Sequence, residues 1–168
     1  MSSMRVEWSR VEQLGESQKW FLRFLRLAEH VSSWSRDPST KTGAVIAKGN
    51  QIISLGYNGF PRGMRDDAEL YANREAKYSR VVHCEVNAVL FGDRDAIKGA
   101  TLYTWPFASC DRCAVQMIQA GITRYVFPEL LPEHAERWGE SMDRTKAFFD
   151  EAGLPWIEVP RSALVEGA

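Results

Sequence analysis

Cysteine and histidine are scarce in this chain, three of each in 168 residues. An odd number of cysteines with no framework spacing excludes a disulfide-stapled secreted module. In a reducing compartment such thiols are free, metal-bound or catalytic. No apolar run reaches the length of a membrane span, and the opening residues, MSSMRVEWSRVEQ, mix charges where a secretory signal would be apolar. A cytoplasmic protein with no membrane partner is expected. Net charge is also lacking: 21 Lys and Arg against 22 Asp and Glu leave −1, too little to steer a long polyanion. From Glu129 onward nine acids face four bases, which argues against nucleic acid wrapping there. Repeats, heptads and low-complexity tracts are absent. The expectation is a single domain over residues 1–168, with its motif-bearing core at about 17–160, large enough to bury a core without staples.

What is present alternates between two periods. Residues 17–34 place Trp20, Phe21, Phe24, Leu25, Leu27, Ala28 and Val31 at spacings of three and four, which predicts an amphipathic helix ended by DPSTKTG. GAVIA (43–47) and QIISLGY (51–57) predict a hairpin. The polar stretch from Phe60 to Arg80 is longer than a usual connection, with a short helix expected around DAELYANREAKYSR, and such loops are often functional. VNAVLF predicts a helix, ATLYTW (100–105) a strand, and CDRCAVQMIQAG (110–121) a helix stopped by Gly121. TRYVF predicts a strand, 132–152 a polar helix, and PWIEV (155–159) a strand at the sheet edge, where Pro is tolerated. This order predicts a three-layer α/β/α domain with a mixed central sheet of about five strands. The first pair should be antiparallel and the helix-linked strands parallel.

The chemistry concentrates in VVHCEVNA (81–88) and, 27 residues after His83, in the CxxC of WPFASCDRCA. Cys110 and Cys113, three apart, share a helix face and can reach one ion, and a helix N-terminus favours the thiolate. His83 at the entrance of a helix and Glu85 in its first turn can converge with them. Zinc accepts a ligand set of two sulfurs and one nitrogen, and three protein ligands leave a position for water, as in catalytic sites. Glu85 would then move protons beside the metal without joining it, in a hydrolytic attack on an amidine-like carbon that expels ammonia. HxE followed by CxxC is the pattern of the zinc deaminases. The bland readings have their places too. Cys84 reads as a small buried thiol, His30 and His134 as surface or core-edge residues, and Trp8, Trp20 and Trp156 as packing residues. Trp105 and Phe107, just before the cysteines, could wall a flat ring or pack the core.

GAVIA, GYNGFPRG, HCEVNAVLFG, GATLYTWPFASCDRCA and QAGI together resemble the deoxycytidylate (dCMP) deaminases of the cytidine deaminase superfamily, in the right order from about residue 37 to 127. The resemblance implies a cytidine deaminase-like fold, one catalytic Zn2+ per chain on His83, Cys110 and Cys113, and Glu85 as proton shuttle. It also implies a contact from Asn58 to the sugar or base, with Gly56, Gly59 and Gly63 permitting close backbone approach. A 5′-monophosphate needs a cation, and Arg62, Arg65, Arg74 and Arg80 lie nearest in sequence, without a spacing that ranks them. Members of the family are often homo-oligomers, and some respond to dCTP or dTTP with Mg2+. One departure is Ser109, where the superfamily usually has Pro before the first cysteine.

The reading is therefore deamination of dCMP to dUMP, a small-molecule reaction feeding thymidylate synthesis. Its rivals are deamination of another free or modified cytosine nucleotide or nucleoside, tRNA or single-strand editing, and a non-catalytic zinc module in which Glu85 is only a helix-cap acid.

Overall fold

Every residue from Gly43 to Ala47 is buried, a pattern that requires a strand covered on both faces. The computed structural model describes residues 16 to 166 and places this strand inside such a sandwich, so Trp8 lies outside the described residues. The strands are β1 (Gly43–Lys48), β2 (Gln51–Tyr57), β3 (Thr101–Trp105), β4 (Arg124–Pro128) and β5 (Trp156–Val159), in the spatial order β2-β1-β3-β4-β5. The helices are α1 (Glu16–Ser32), α2 (Ala68–Ala72), α3 (Arg74–Arg80), α4 (Cys84–Phe91), α5 (Arg94–Ile97), α6 (Asp111–Ala120), α7 (Pro132–Glu151) and α8 (Arg161–Glu166).

Side chains alternate across the sheet with period two. Val45, Ala47, Tyr103, Val126 and Ile157 face one way, against Phe21, Phe24, Leu25 and Ala28 of α1 and Ala163 and Leu164 of α8. Ala44, Ile46, Leu102, Tyr125 and Phe127 face the other way, against Ala88 of α4, Ala114 and Met117 of α6, and Phe149 of α7. β1 is antiparallel to β2 and β3, while β3, β4 and β5 run parallel through the crossovers α6 and α7. The expected three layers, hairpin and edge strand are all present. The short helices α5 and α8 lack a periodic apolar signature and were not anticipated. The polar stretch before His83 folds into α2 and α3 rather than one helix, because Asn73 caps both: its N–H closes α2 on Glu69 and its side chain accepts from Ala76 N–H at the start of α3.

Gly56 has a different job from the ligand approach expected of it. A Cβ there would lie 2.2 Å from the carbonyl oxygen of Cys84 and 2.4 Å from the Ala88 nitrogen. The missing side chain therefore lets the backbone of α4 rest directly on β2. Gly59 and Gly63 face open space. This contact sets the height of α4, and with it the first half of the site.

Candidate active site

His83 is the N-cap of α4, in extended conformation (φ −72°, ψ 156°), and its imidazole makes no capping bond. The residue before it is fixed by reciprocal backbone bonds between Val82 and Gly59, at 2.8 and 3.1 Å. Cys110 repeats this geometry as the N-cap of α6 (φ −65°, ψ 159°), with its thiol likewise free of any capping role. Two helix starts thus aim unengaged ligand atoms at one point. The Nδ1 of His83 lies 3.5 Å from Cys110 Sγ and 3.3 Å from Cys113 Sγ, and all three ligand atoms fall within 4.8 Å of one another. A tetrahedral zinc with nitrogen at about 2.0 Å and sulfur at about 2.3 Å holds its N and S ligands about 3.6 Å apart. The donor set and spacing fit that ion.

Electrostatics support the fit. The Cys110 thiol is pulled down to about 4, chiefly by its hydrogen bond with Cys113 and also by His83, against the opposing effect of burial. His83 rises to about 9, chiefly through its contact with Cys110. Cys113 is pushed up by the same hydrogen bond and by burial. A thiolate at a helix N-terminus is ready to meet a cation. Cys84 behaves as expected of a small buried thiol: burial, then the charge of Glu85, hold it protonated and outside the ligand group. It also does something the sequence did not suggest, placing its Sγ 3.3 Å from Glu85 Oε2.

Glu85 is 5% exposed, stands outside the ligand group, and lines a cleft together with His83 and Cys110. Trp105 and Phe107 line the same cleft, as does Trp138 of α7, whose ring lies 5.6 Å from that of Phe107. Trp138 was missed because a tryptophan in a polar helix has no local mark of function. Asn58 also lines the cleft, but its amide is engaged by the protein itself. Its Oδ1 accepts from Thr42 N–H at 2.8 Å, and its Nδ2 donates to Thr40 O at 2.9 Å. Asn58 therefore pins the 37–42 loop against the cleft.

The sequence-nominated arginines fall elsewhere. Arg65 pairs with Asp67 at 2.8 Å and Glu69 at 3.2 Å on the exposed surface, and Arg62 lies over the Phe91 ring at 5.0 Å. Neither they nor Arg74 and Arg80 line the cleft. The absence of Pro before Cys110 is compensated by anchors from α7. Thr145 Oγ1 donates to Ser109 O at 2.8 Å, Ser141 Oγ receives the Asp111 N–H at 3.1 Å, and Arg144 pairs with Asp111 at 2.8 Å. From the other side Thr104 Oγ1 donates to Phe107 O at 2.8 Å, and Arg161 of α8 donates to Pro106 O.

Comparison with known proteins agrees with this geometry. The family model for the cytidine and deoxycytidylate deaminase zinc-binding region matches residues 18–129. A curated relative, an uncharacterized deaminase in the luxG 3′ region of Aliivibrio fischeri, is 42% identical over 146 residues, covering 87% of this chain and 97% of its own. The human deoxycytidylate deaminase is 31% identical over 144 residues, covering 81% and 77%. Among solved structures, the dCMP deaminase of cyanophage S-TIM5, in complex with dCMP and dUMP, superposes with a TM-score of 0.64 at 20% identity, covering 88% of this chain and all of that one. At that identity the superposition speaks for the fold.

Proposed function

The chain belongs to the cytidine and deoxycytidylate deaminase family, and from that premise we propose that it is an enzyme converting dCMP and water to dUMP and ammonia. The observation that carries the reading is the convergence of His83, Cys110 and Cys113 beside a buried, separate Glu85 in an aromatic-walled cleft. His83, Cys110 and Cys113 are assigned to hold the metal. Bound by three protein ligands, zinc supplies the activation of water at neutral pH.

Glu85 is assigned the proton traffic. Its carboxylate takes a proton from the attacking water and gives it to the ring nitrogen, then moves the proton of the new hydroxyl to the amino group on the same carbon, so that the C–N bond breaks with ammonia leaving and a carbonyl in its place. Cys84 holds one oxygen of that carboxylate. Trp105, Phe107 and Trp138 give the base a flat apolar wall and exclude bulk water. Asn58 keeps the 37–42 loop in place, and its role toward the nucleotide is the shape of the cleft.

The human relative is a deoxycytidylate deaminase, which supports the monophosphate as substrate here. No described helix is long and apolar enough to cross a membrane, and cysteines without a disulfide suit a reducing compartment such as the cytoplasm.

The test is ammonia release by zinc-loaded protein from dCMP, deoxycytidine, CMP and dCTP side by side, with metal content assayed on the same sample. Preferred turnover of dCMP is expected. Equal turnover of deoxycytidine refutes the monophosphate reading, and zinc without turnover of any substrate favours the non-catalytic module.

A further inference from the structure

A nucleotide whose base is seated beside Glu85 carries its 5′-phosphate a full sugar away, toward the rim of the cleft. A cation is needed there. Among the described residues, and apart from His83 of the metal site, the cleft is lined by two basic side chains, Lys77 of α3 and Arg137 of α7. Their situations differ sharply.

Lys77 is 6% exposed. Its ammonium lies 2.8 and 2.6 Å from the two carboxylate oxygens of Asp37 and 2.9 Å from Ser39 Oγ. An ammonium has three donors, and all three are engaged. Its charge is answered by a carboxylate that is itself buried. Arg137 is exposed and belongs to no ion pair among the described residues. One of its N–H groups donates to the Tyr78 hydroxyl, and its guanidinium carbon stands 4.8 Å from the Trp138 ring centroid. A guanidinium has five donors in a planar fork, so most of them stay open.

Tyr78 lines the same cleft from α3. Its hydroxyl accepts from Arg137 and keeps its own O–H to give. On its ring lies Arg74, with the guanidinium carbon 5.3 Å from the centroid, adding positive charge at this rim. Two helices 59 residues apart at their contact thus bring an open fork and a phenol together at the mouth.

We propose that Arg137, with the Tyr78 hydroxyl, binds the 5′-phosphate of the substrate, while Lys77 shapes the cleft through Asp37. The fork of a guanidinium matches two phosphate oxygens at once, which an ammonium cannot do. Packing on Trp138 and the bond to Tyr78 hold the fork in place before the nucleotide arrives. The assignment rests on the nucleotide reading above and goes further, since it names the group that separates a nucleotide from a nucleoside.

The experiment measures kcat/KM for dCMP and for deoxycytidine with zinc-loaded wild type, Arg137→Ala, Arg137→Lys and Tyr78→Phe. Affinities for dUMP and deoxyuridine are read by calorimetry on the same samples. In Arg137→Ala the preference for dCMP over deoxycytidine should fall about thirtyfold, mainly through KM, with a matching loss of dUMP affinity. Arg137→Lys should be intermediate, because charge survives without the fork, and Tyr78→Phe should lose a fewfold. Arg137 is on the surface, and thermal melting confirms that each variant is folded. A wild-type preference for dCMP that Arg137→Ala leaves intact, with unchanged dUMP affinity, overturns this assignment alone. A wild type that does not prefer dCMP overturns the monophosphate reading instead.

Discussion

The two walls of the cleft are built by opposite strategies. The metal wall comes from two short local motifs, each a helix start that turns a ligand atom outward, with His83 at one N-cap and Cys110 at the other. The opposite rim is assembled from Asp37, Asn58, Lys77, Tyr78 and Arg137, five residues on four separate stretches of chain. Metal coordination needs a few atoms at fixed short range, which a helical turn supplies. Recognition of a long substrate needs groups spread over its length, which only tertiary packing supplies.

The comparison breaks most severely at the metal wall. Cys110→Ala should lose the ion and with it essentially all turnover, since two protein ligands do not hold zinc as three do. Metal analysis after gel filtration checks this, and one zinc per chain in the variant would refute the ligand role. Next in size, Glu85→Gln should keep zinc and fold but lose on the order of a hundredfold or more in kcat, as expected of a general acid–base group. Near-normal turnover would return Glu85 to the status of a cap residue.

On the opposite wall the expected loss is in stability. Asp37→Asn breaks a buried pair and leaves the Lys77 charge uncompensated, at a cost of about 3 kcal/mol at neutral pH by urea unfolding. Burial raises the pKa of Asp37, but Lys77, the amides of Ser39 and Thr40 and the Ser39 hydroxyl together outweigh it, and the folded value lies below the ordinary 3.8. A carboxyl depressed on folding contributes stability that is complete above its unfolded pKa and is lost as pH falls through the folded one. The difference between wild type and Asp37→Asn should therefore be constant above about pH 5 and shrink below about pH 4. A difference that grows on acidification would refute the charge pair as its source.

The smallest effect sharpens the comparison by linking the walls. Thr145 is fully buried and donates to the Ser109 carbonyl. Thr145→Val should destabilise by about 1–2 kcal/mol, by stranding that acceptor. It should also quicken zinc release to a chelator, whereas an unchanged release rate would detach α7 from the metal loop.

This contrast also explains what could be read in advance. HxE, CxxC and the hairpin are patterns of spacing, and spacing survives in sequence. The apolar periods of α1 and of β1 announce their elements for the same reason. Lys77 looked like one more charge in a polar stretch, because its partner Asp37 lies 40 residues earlier and nothing local marks either as buried. Arg137 sits in an acidic, polar helix and drew no notice, while the better-placed arginines by sequence, Arg62 and Arg65, bind Phe91 and two surface carboxylates. Gly56 suggested room for a ligand and instead makes room for a helix. A missing Cβ is visible in the sequence, but the identity of whatever fills the space is not.

The anchors of the cysteine loop have a consequence for how the enzyme is made. Ser141, Arg144, Thr145 and Arg161 all follow Cys113 in the chain. A ribosome delivers both thiols and the histidine well before it delivers most of what fixes their loop. The nascent protein therefore carries a full set of metal-binding atoms on a segment held from β3 alone, by Thr104, and the other anchors arrive only when α7 and α8 leave the exit tunnel. Removal of α8, with its Arg161, should be felt at the zinc, although no ligand is removed.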